Sequence, residues 1–110
     1  MSALHPTLAA GRWHTFSLVE QMANIGSEVE RALNWRAMGN PSYSALAFER
    51  ALELLSLTLE DPRLRTRARE LARLYEALVD YFQGSNQFGS TDAIWRAYFS
   101  AFGYAARRDR

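Results

Sequence analysis

The chain contains no cysteine and no lysine, and its two histidines, His5 and His14, both stand near the amino-terminal end. Without cysteine there are no disulfides, no thiolate nucleophile and no Cys-based zinc site. A di-iron bundle needs Glu-x-x-His on facing helices. The matching positions read Glu28-x-x-Arg31 and Glu70-x-x-Arg73 instead. A Ser/His/acid triad would have to recruit a histidine from the amino-terminal segment. Phosphate-cradling and dinucleotide glycine loops and a Gly-x-Ser-x-Gly elbow are also missing. No cofactor or metal is expected, and the chain reads as a non-enzyme. No uncharged apolar run approaches the ~18 residues that cross a bilayer. The opening Met1–Ala10 lacks the basic and apolar blocks of a secretory signal. A cytoplasmic protein with no membrane partner is therefore expected.

What is present is a composition suited to one packed domain: 110 residues, 48% of them hydrophobic. The formal net charge of +1 gives no general attraction to nucleic acid. All 13 basic residues are arginine. Either a codon bias or a surface suited to bidentate recognition of phosphate or carboxylate accounts for that choice.

Residues 1–14 read as irregular, with Pro6 and Gly11 and no sustained period. From there four helices follow, at about 17–38, 41–59, 62–83 and 91–107, in a domain spanning 15–110. Ser17 and Glu20 make a capping box. Leu18, Met22, Ile25, Val29 and Ala32 then recur at three- and four-residue steps as one apolar stripe. Gly39-Asn40 stops that helix, and Asn40-Pro41 caps the next. The second helix is apolar around much of its circumference through Ala47, Phe48, Ala51, Leu52, Leu54, Leu55 and Leu59. Asp61-Pro62 repeats the cap-and-proline device. The third helix carries the stripe Leu64, Ala68, Leu71, Tyr75, Leu78 and Phe82, with Gly84 as its stop. Gly84 to Gly89 reads as a loop, and Ser90-Thr91-Asp92 caps a fourth helix crowded with Trp95, Tyr98, Phe99 and Phe102. Short connections between helices predict an all-α, up-down-up-down four-helix bundle.

Three surfaces stand out. The second helix is more apolar than a lone bundle requires, and the fourth is crowded with aromatics. Either the second helix sits centrally, flanked on two sides, or part of this surface closes against a second copy. The latter reading predicts a homo-oligomer through both helices. The third helix opens with Arg63, Arg65, Arg67, Arg69 and Arg73, although a helix amino terminus disfavours cations. Ion pairs across the hairpin, Glu53 with Arg69 and Glu49 with Arg73, would relieve this. The other reading is an arginine stripe for nucleic acid or an acidic protein. On the first helix Gln21, Asn24, Glu28, Arg31 and Trp35 form a polar seam beside the apolar stripe. It either fixes helix pairing through hydrogen bonds or offers a ligand or partner site.

The runs Gln21–Ala32, Ala47–Leu54 and Asp80–Asn86 resemble a group of short all-helical bacterial proteins of unassigned activity, over most of the chain from Trp13 onward. Asn24-Ile25-Gly26-Ser27-Glu28 followed by Arg31 is more remotely similar to the four-helix-bundle superfamily of proteins encoded in 23S ribosomal RNA intervening sequences. That superfamily includes oligomeric accessory proteins of retroelements, which bind nucleic acid. Its Asn-Ile-Ala-Glu-Gly segment differs from this one in the place of the glutamate. One residue turns a helical side chain by ~100°, so the resemblance implies a fold and a partner class and assigns no residue a role.

Overall fold

The computed structural model describes residues 11–108. Four α-helices make up the fold: α1 (Leu18–Ala37), α2 (Pro41–Leu59), α3 (Ala68–Gln83) and α4 (Asp92–Arg108). Two 3-10 segments accompany them, Arg12–Thr15 before α1 and Pro62–Arg67 before α3. There is no strand among the described residues. The fold is an all-α four-helix bundle, with consecutive helices antiparallel.

The helix ends follow from local chemistry. Ser17 Oγ accepts from the Glu20 amide at 3.1 Å while Glu20 Oε1 accepts from the Ser17 amide at 3.0 Å, closing the capping box. At the other end Gly39 adopts φ +78°, a left-handed turn that costs glycine little. The Asn40 and Gly39 amides then reach back to the Trp35 and Arg36 carbonyls, which satisfies two of the helix's last acceptors. Asn40 Oδ1 caps α2 through the Tyr43 amide, and Thr91 Oγ1 caps α4 through the Ile94 amide.

Helix α1 lies between α2 and α4. Ser44 of α2 donates to the Ala32 carbonyl at 2.8 Å. On the other flank Gly26 meets Phe99 so closely that a Cβ there would stand 2.7 Å from Phe99 Cβ. Helix α3 packs along α2, with Phe48 and Phe82 stacked at 4.5 Å, and meets α4 through Tyr81 and Trp95. The order around the bundle is thus α1, α2, α3, α4, and α2 and α4 are diagonal. The core comprises Met22, Ile25, Val29, Ala32 and Leu33 of α1, Ala47, Phe48, Ala51, Leu54 and Leu55 of α2, Leu71, Leu74 and Leu78 of α3, and Trp95 and Phe99 of α4.

Three expectations are corrected. The segment read as irregular through residue 14 includes the 3-10 turn Arg12–Thr15, and Trp13 within it is buried in the core. His14 is fixed by its Nε2, which donates to the Leu57 carbonyl at 2.8 Å. His5 and Pro6 lie outside the described residues. The third α-helix starts at Ala68, not at residue 62. Residues Pro62–Arg67 are 3-10 with a kink at Leu64, because Asp61 holds both the backbone and the side chain of Arg63. Ala68 is therefore an exposed first-turn residue, outside the inward stripe. The late start also eases the charge problem, since Arg63 and Arg65 precede the α-helix and Glu70 occupies its first turn. Finally, the pairs Glu53–Arg69 and Glu49–Arg73 are not among the ion pairs formed by the described residues; Arg67 meets Glu70 at 3.7 Å on its own helix.

Candidate functional site

The polar seam of α1 separates into three environments. Gln21, fully buried, turns inward: its Nε2 lies within 3.3 Å of the Trp13 and Phe16 carbonyls and Asp61 Oδ2. These contacts belong to a polar cluster at one end of the bundle, in which the buried Gln21 Oε1 has no hydrogen-bond partner. Trp13 Nε1 donates to Thr58 Oγ1 at 3.0 Å, and Thr58 Oγ1 donates to the Leu54 carbonyl. Arg63 donates to Asp61 through Nε and Nη2 and to the Phe16 carbonyl at 2.8 Å. The Arg63 hydrogen bonds hold the Asp61 carboxyl far below the usual carboxylate range, against the opposing effect of burial. This cluster fastens the Arg12–Thr15 turn across α2, and its contacts are internal to the protein.

Sequence reasoning overlooked Trp13, Thr58 and Asp61 as a connected group. A large aromatic residue four positions before a capping box was the available sign that the preceding segment packs.

Asn24, Glu28 and Arg31 stay together and line an open groove of about 450 Å³. The 3-10 turn and its exit supply Arg12, Trp13 and Phe16 as one wall, Ser27 adds to the α1 side, and Leu54 of α2 forms part of the apolar floor. Glu28 is only 12% exposed through its side chain. Its Oε1 accepts from Arg31 at 3.0 Å, whereas its enclosed Oε2 has no hydrogen-bond partner. Asn24 Nδ2 is bonded to the Glu20 carbonyl and Ser27 Oγ to the Ala23 carbonyl. Trp35, the last seam residue, packs edge-on against Tyr43 at 4.8 Å. It borders a second hollow of about 420 Å³ with Glu30, Asn34 and Met38, which shares Ser27 and Arg31 with the first.

The arginines of the third segment also divide. Arg63 is committed to Asp61 and Arg67 leans on Glu70, but Arg65, Arg69 and Arg73 stand exposed and form no ion pair among the described residues.

At the opposite end of the bundle Arg36 donates to Asp92 at 3.0 Å and lies 4.8 Å from the ring centres of both Tyr81 and Phe82. The Tyr81 hydroxyl donates to the same Asp92 oxygen. Burial pushes the Tyr81 hydroxyl above its usual range, and the Tyr81 hydrogen bond lowers the Asp92 carboxyl. Arg96 grips Glu30 through Nε at 3.0 Å and reaches Asn34 through Nη2. Both clusters tie α4 to α1.

The apolar surfaces of α2 and α4 fare differently. On α2, Leu52, Leu57 and Leu59 pack against the core, and the large side chains left exposed are Tyr43 and Leu46 near its start. On α4, Ile94 is 53%, Tyr98 37% and Tyr104 60% exposed, and Ala93, Ala97 and Ala101 are exposed as well. A 3.6-residue period places Ala93, Ala97, Ala101 and Tyr104 opposite the buried Trp95 and Phe99. Among the described residues no group of three or more His, Asp and Glu side chains could hold a metal ion, and no helix is long and apolar enough to cross a membrane. Comparisons with family models, with curated proteins and with solved structures found no match to this chain.

Proposed function

We propose that this chain is a non-enzymatic helical interaction protein that self-associates through the outer face of α4. The observation carrying this reading is the exposure of Ala93, Ala97, Ala101 and Tyr104 on the side of α4 away from Trp95 and Phe99, with Ile94 at its edge. Large contiguous apolar surface on a bundle marks a contact site more often than a solvated face. The small side chains of Ala93, Ala97 and Ala101 let a second helix approach closely, and the flanking aromatic rings give it area to cover. A two-fold pairing of α4 with the α4 of a second copy uses one self-complementary patch and closes the assembly. Because α2 and α4 are diagonal, they do not share one face. Tyr43 and Leu46 contribute only if a second interface exists.

Sedimentation velocity across the micromolar range tests this. The chain should form a concentration-dependent dimer, and Ala97→Glu should return it to the monomer with unchanged helical content. A wild-type monomer throughout that range would overturn the reading.

A second reading, an accessory protein that binds nucleic acid, draws on the exposure of Arg65, Arg69 and Arg73 outside the expected cross-hairpin pairs. Phosphate contacts make affinity fall steeply with salt, by a slope of roughly 0.9 per contact on duplex DNA. Replacing the three arginines with alanine should therefore flatten the salt dependence by about three contacts. An acidic-protein partner would instead leave mixed RNA and DNA unbound at low salt, which is the outcome that removes the nucleic-acid reading.

A further inference from the structure

We propose that two copies of this chain pair through α4 in antiparallel, with Tyr104 of each copy seated on the Phe88 loop of the other. The inference rests on self-association through α4 and adds its direction, its register and a second contact. The two ends of α4 are unlike. At its carboxyl-terminal end Tyr104, Arg107 and Arg108 are all exposed, and neither arginine forms an ion pair among the described residues. At its amino-terminal end the loop that precedes α4 leaves Phe88 64% exposed.

That loop is fixed in place. Asp80, in the last turn of α3, accepts from the Gln87 amide at 2.8 Å and from the Phe88 amide at 3.1 Å. Asn86 and Ser90 close the loop through two further hydrogen bonds, at 3.0 and 2.8 Å. Asp80 forms no ion pair among the described residues, whereas the charges beside it are matched, Arg36 with Asp92 and Arg96 with Glu30. One end of α4 therefore adjoins an uncompensated carboxylate, and the other carries two uncompensated guanidiniums. Parallel pairing would crowd four arginines together. Antiparallel pairing brings Arg108 of one copy toward Asp80 of the other, and each exposed ring toward a ring of the opposite copy.

The outer face sets the register. On the helical period Ala97, Tyr104 and Arg108 point in one direction, with Ala93 and Ala101 to either side and Trp95 and Phe99 opposite. With Ala97 on the two-fold axis, Ala93 of each copy faces Ala101 of the other, and the helix axes approach to about 8 Å. Tyr104 then lies about 10 Å beyond Ala97 along the axis, whereas α4 begins at Asp92, only about 7.5 Å before Ala97. The ring thus passes the first turn of the other copy's α4 and reaches the loop just before it. Sliding the pair by one turn would set Tyr104 over Ala93 and Ile94 and wedge the helices apart.

Disulfide trapping of the full chain tests the arrangement. Ala93→Cys, Ala97→Cys and Ala101→Cys each replace an exposed alanine and leave the core alone. Under mild oxidation, at concentrations where the chain is dimeric, Ala97→Cys should link to itself. Ala93→Cys and Ala101→Cys should link at least about tenfold faster to each other than to themselves. Like positions there lie about 12 Å apart along the axis, beyond disulfide reach. A short affinity tag on one variant resolves the mixed product by mass. Phe88→Ala should weaken the dimer about tenfold in sedimentation, with the monomer's helical content unchanged. If Ala93→Cys and Ala101→Cys each link to themselves as fast as to each other, the antiparallel register is overturned while pairing through α4 stands. A dimer unaffected by Phe88→Ala overturns the seat for Tyr104. A chain that stays monomeric, or a dimer that links none of the three, removes the pairing and its direction together.

Discussion

Helices α2 and α4 are both rich in apolar residues, yet they occupy very different surroundings. Helix α2 has α1 on one flank, tied by the Ser44 hydroxyl, and α3 on the other, joined by the Phe48–Phe82 stack. The Arg12–Thr15 turn then closes over its end, where Trp13 bonds to Thr58. Helix α4 is clamped to α1 at Gly26, Glu30 and Arg36, but meets α3 chiefly through the Tyr81–Trp95 and Tyr81–Asp92 contacts. The lesson is that apolar content measures how much a helix gains from cover, while its neighbours decide how much it receives. Helix α2 is covered within the chain, and α4 is left with an outer face that a second copy can use.

This contrast is easiest to break from the α2 side. Leu55 is fully buried, so Leu55→Ala should cost about 3–4 kcal/mol in transfer and cavity terms. Tyr104→Ala on α4 should leave the monomer's stability within about 0.5 kcal/mol. Urea unfolding of both variants below the dimer range checks the pair, and equal losses would erase the contrast. Next is the clamp that covers α2. Asp61→Ala removes a helix cap and the buried carboxylate that Gln21 and the half-exposed Arg63 bond, for an expected loss of about 2 kcal/mol.

The same clamp has a pH signature. The folded-state pKa of Asp61 is depressed, so its contribution is fully present above the unfolded value near 3.8 and is lost progressively as pH falls below it. Acid unfolding monitored by circular dichroism should be less steep below pH ~4 in Asp61→Ala than in the wild type. Identical acid limbs would count against the clamp.

A smaller effect is expected where α4 meets α1. Alanine at Gly26 gains up to ~1 kcal/mol of helix propensity, but its Cβ collides with Phe99 Cβ rather than with a flexible chain end. Gly26→Ala should therefore be destabilising by a net of about 1–2 kcal/mol, and a stabilised variant would mean that α4 shifts freely. Smallest of all, Arg73→Ala should change stability by less than about 0.5 kcal/mol, since no cross-hairpin pair is lost. A larger loss by thermal unfolding would restore the ion-pair explanation for the arginine stripe.

Much of this fold was legible from the chain. Ser17 with Glu20, Asn40 with Pro41, and Asp61 with Pro62 act through neighbouring backbone, so their roles can be read from residues three or fewer positions away. The inward stripe of α1 follows from helical period for the same reason. Contacts between residues distant in sequence were not legible. Nothing in the sequence placed Trp13 against Thr58, and the start of α3 depended on a wrap of Arg63 around Asp61 that competes with regular helix. The polar seam was visible as a strip, but its division was not. Gln21 joins an internal cluster because the Arg12–Thr15 turn folds over it, whereas Glu28, two turns further along α1, borders the groove that this turn creates. Likewise, the width of the apolar face on α2 was plain, while the cover over it came from elements on three sides.

The absence of cysteine lets introduced thiols report on pairing through α4. Single substitutions Ala97→Cys, Ala101→Cys and Leu46→Cys would be oxidised under mild conditions at micromolar concentration and resolved by non-reducing electrophoresis. A disulfide forms only where two Cα atoms come within about 7 Å. With copies paired through α4, Ala97→Cys or Ala101→Cys should cross-link rapidly into a covalent dimer while Leu46→Cys remains monomeric. Rapid cross-linking of Leu46→Cys with neither α4 variant reacting would contradict it.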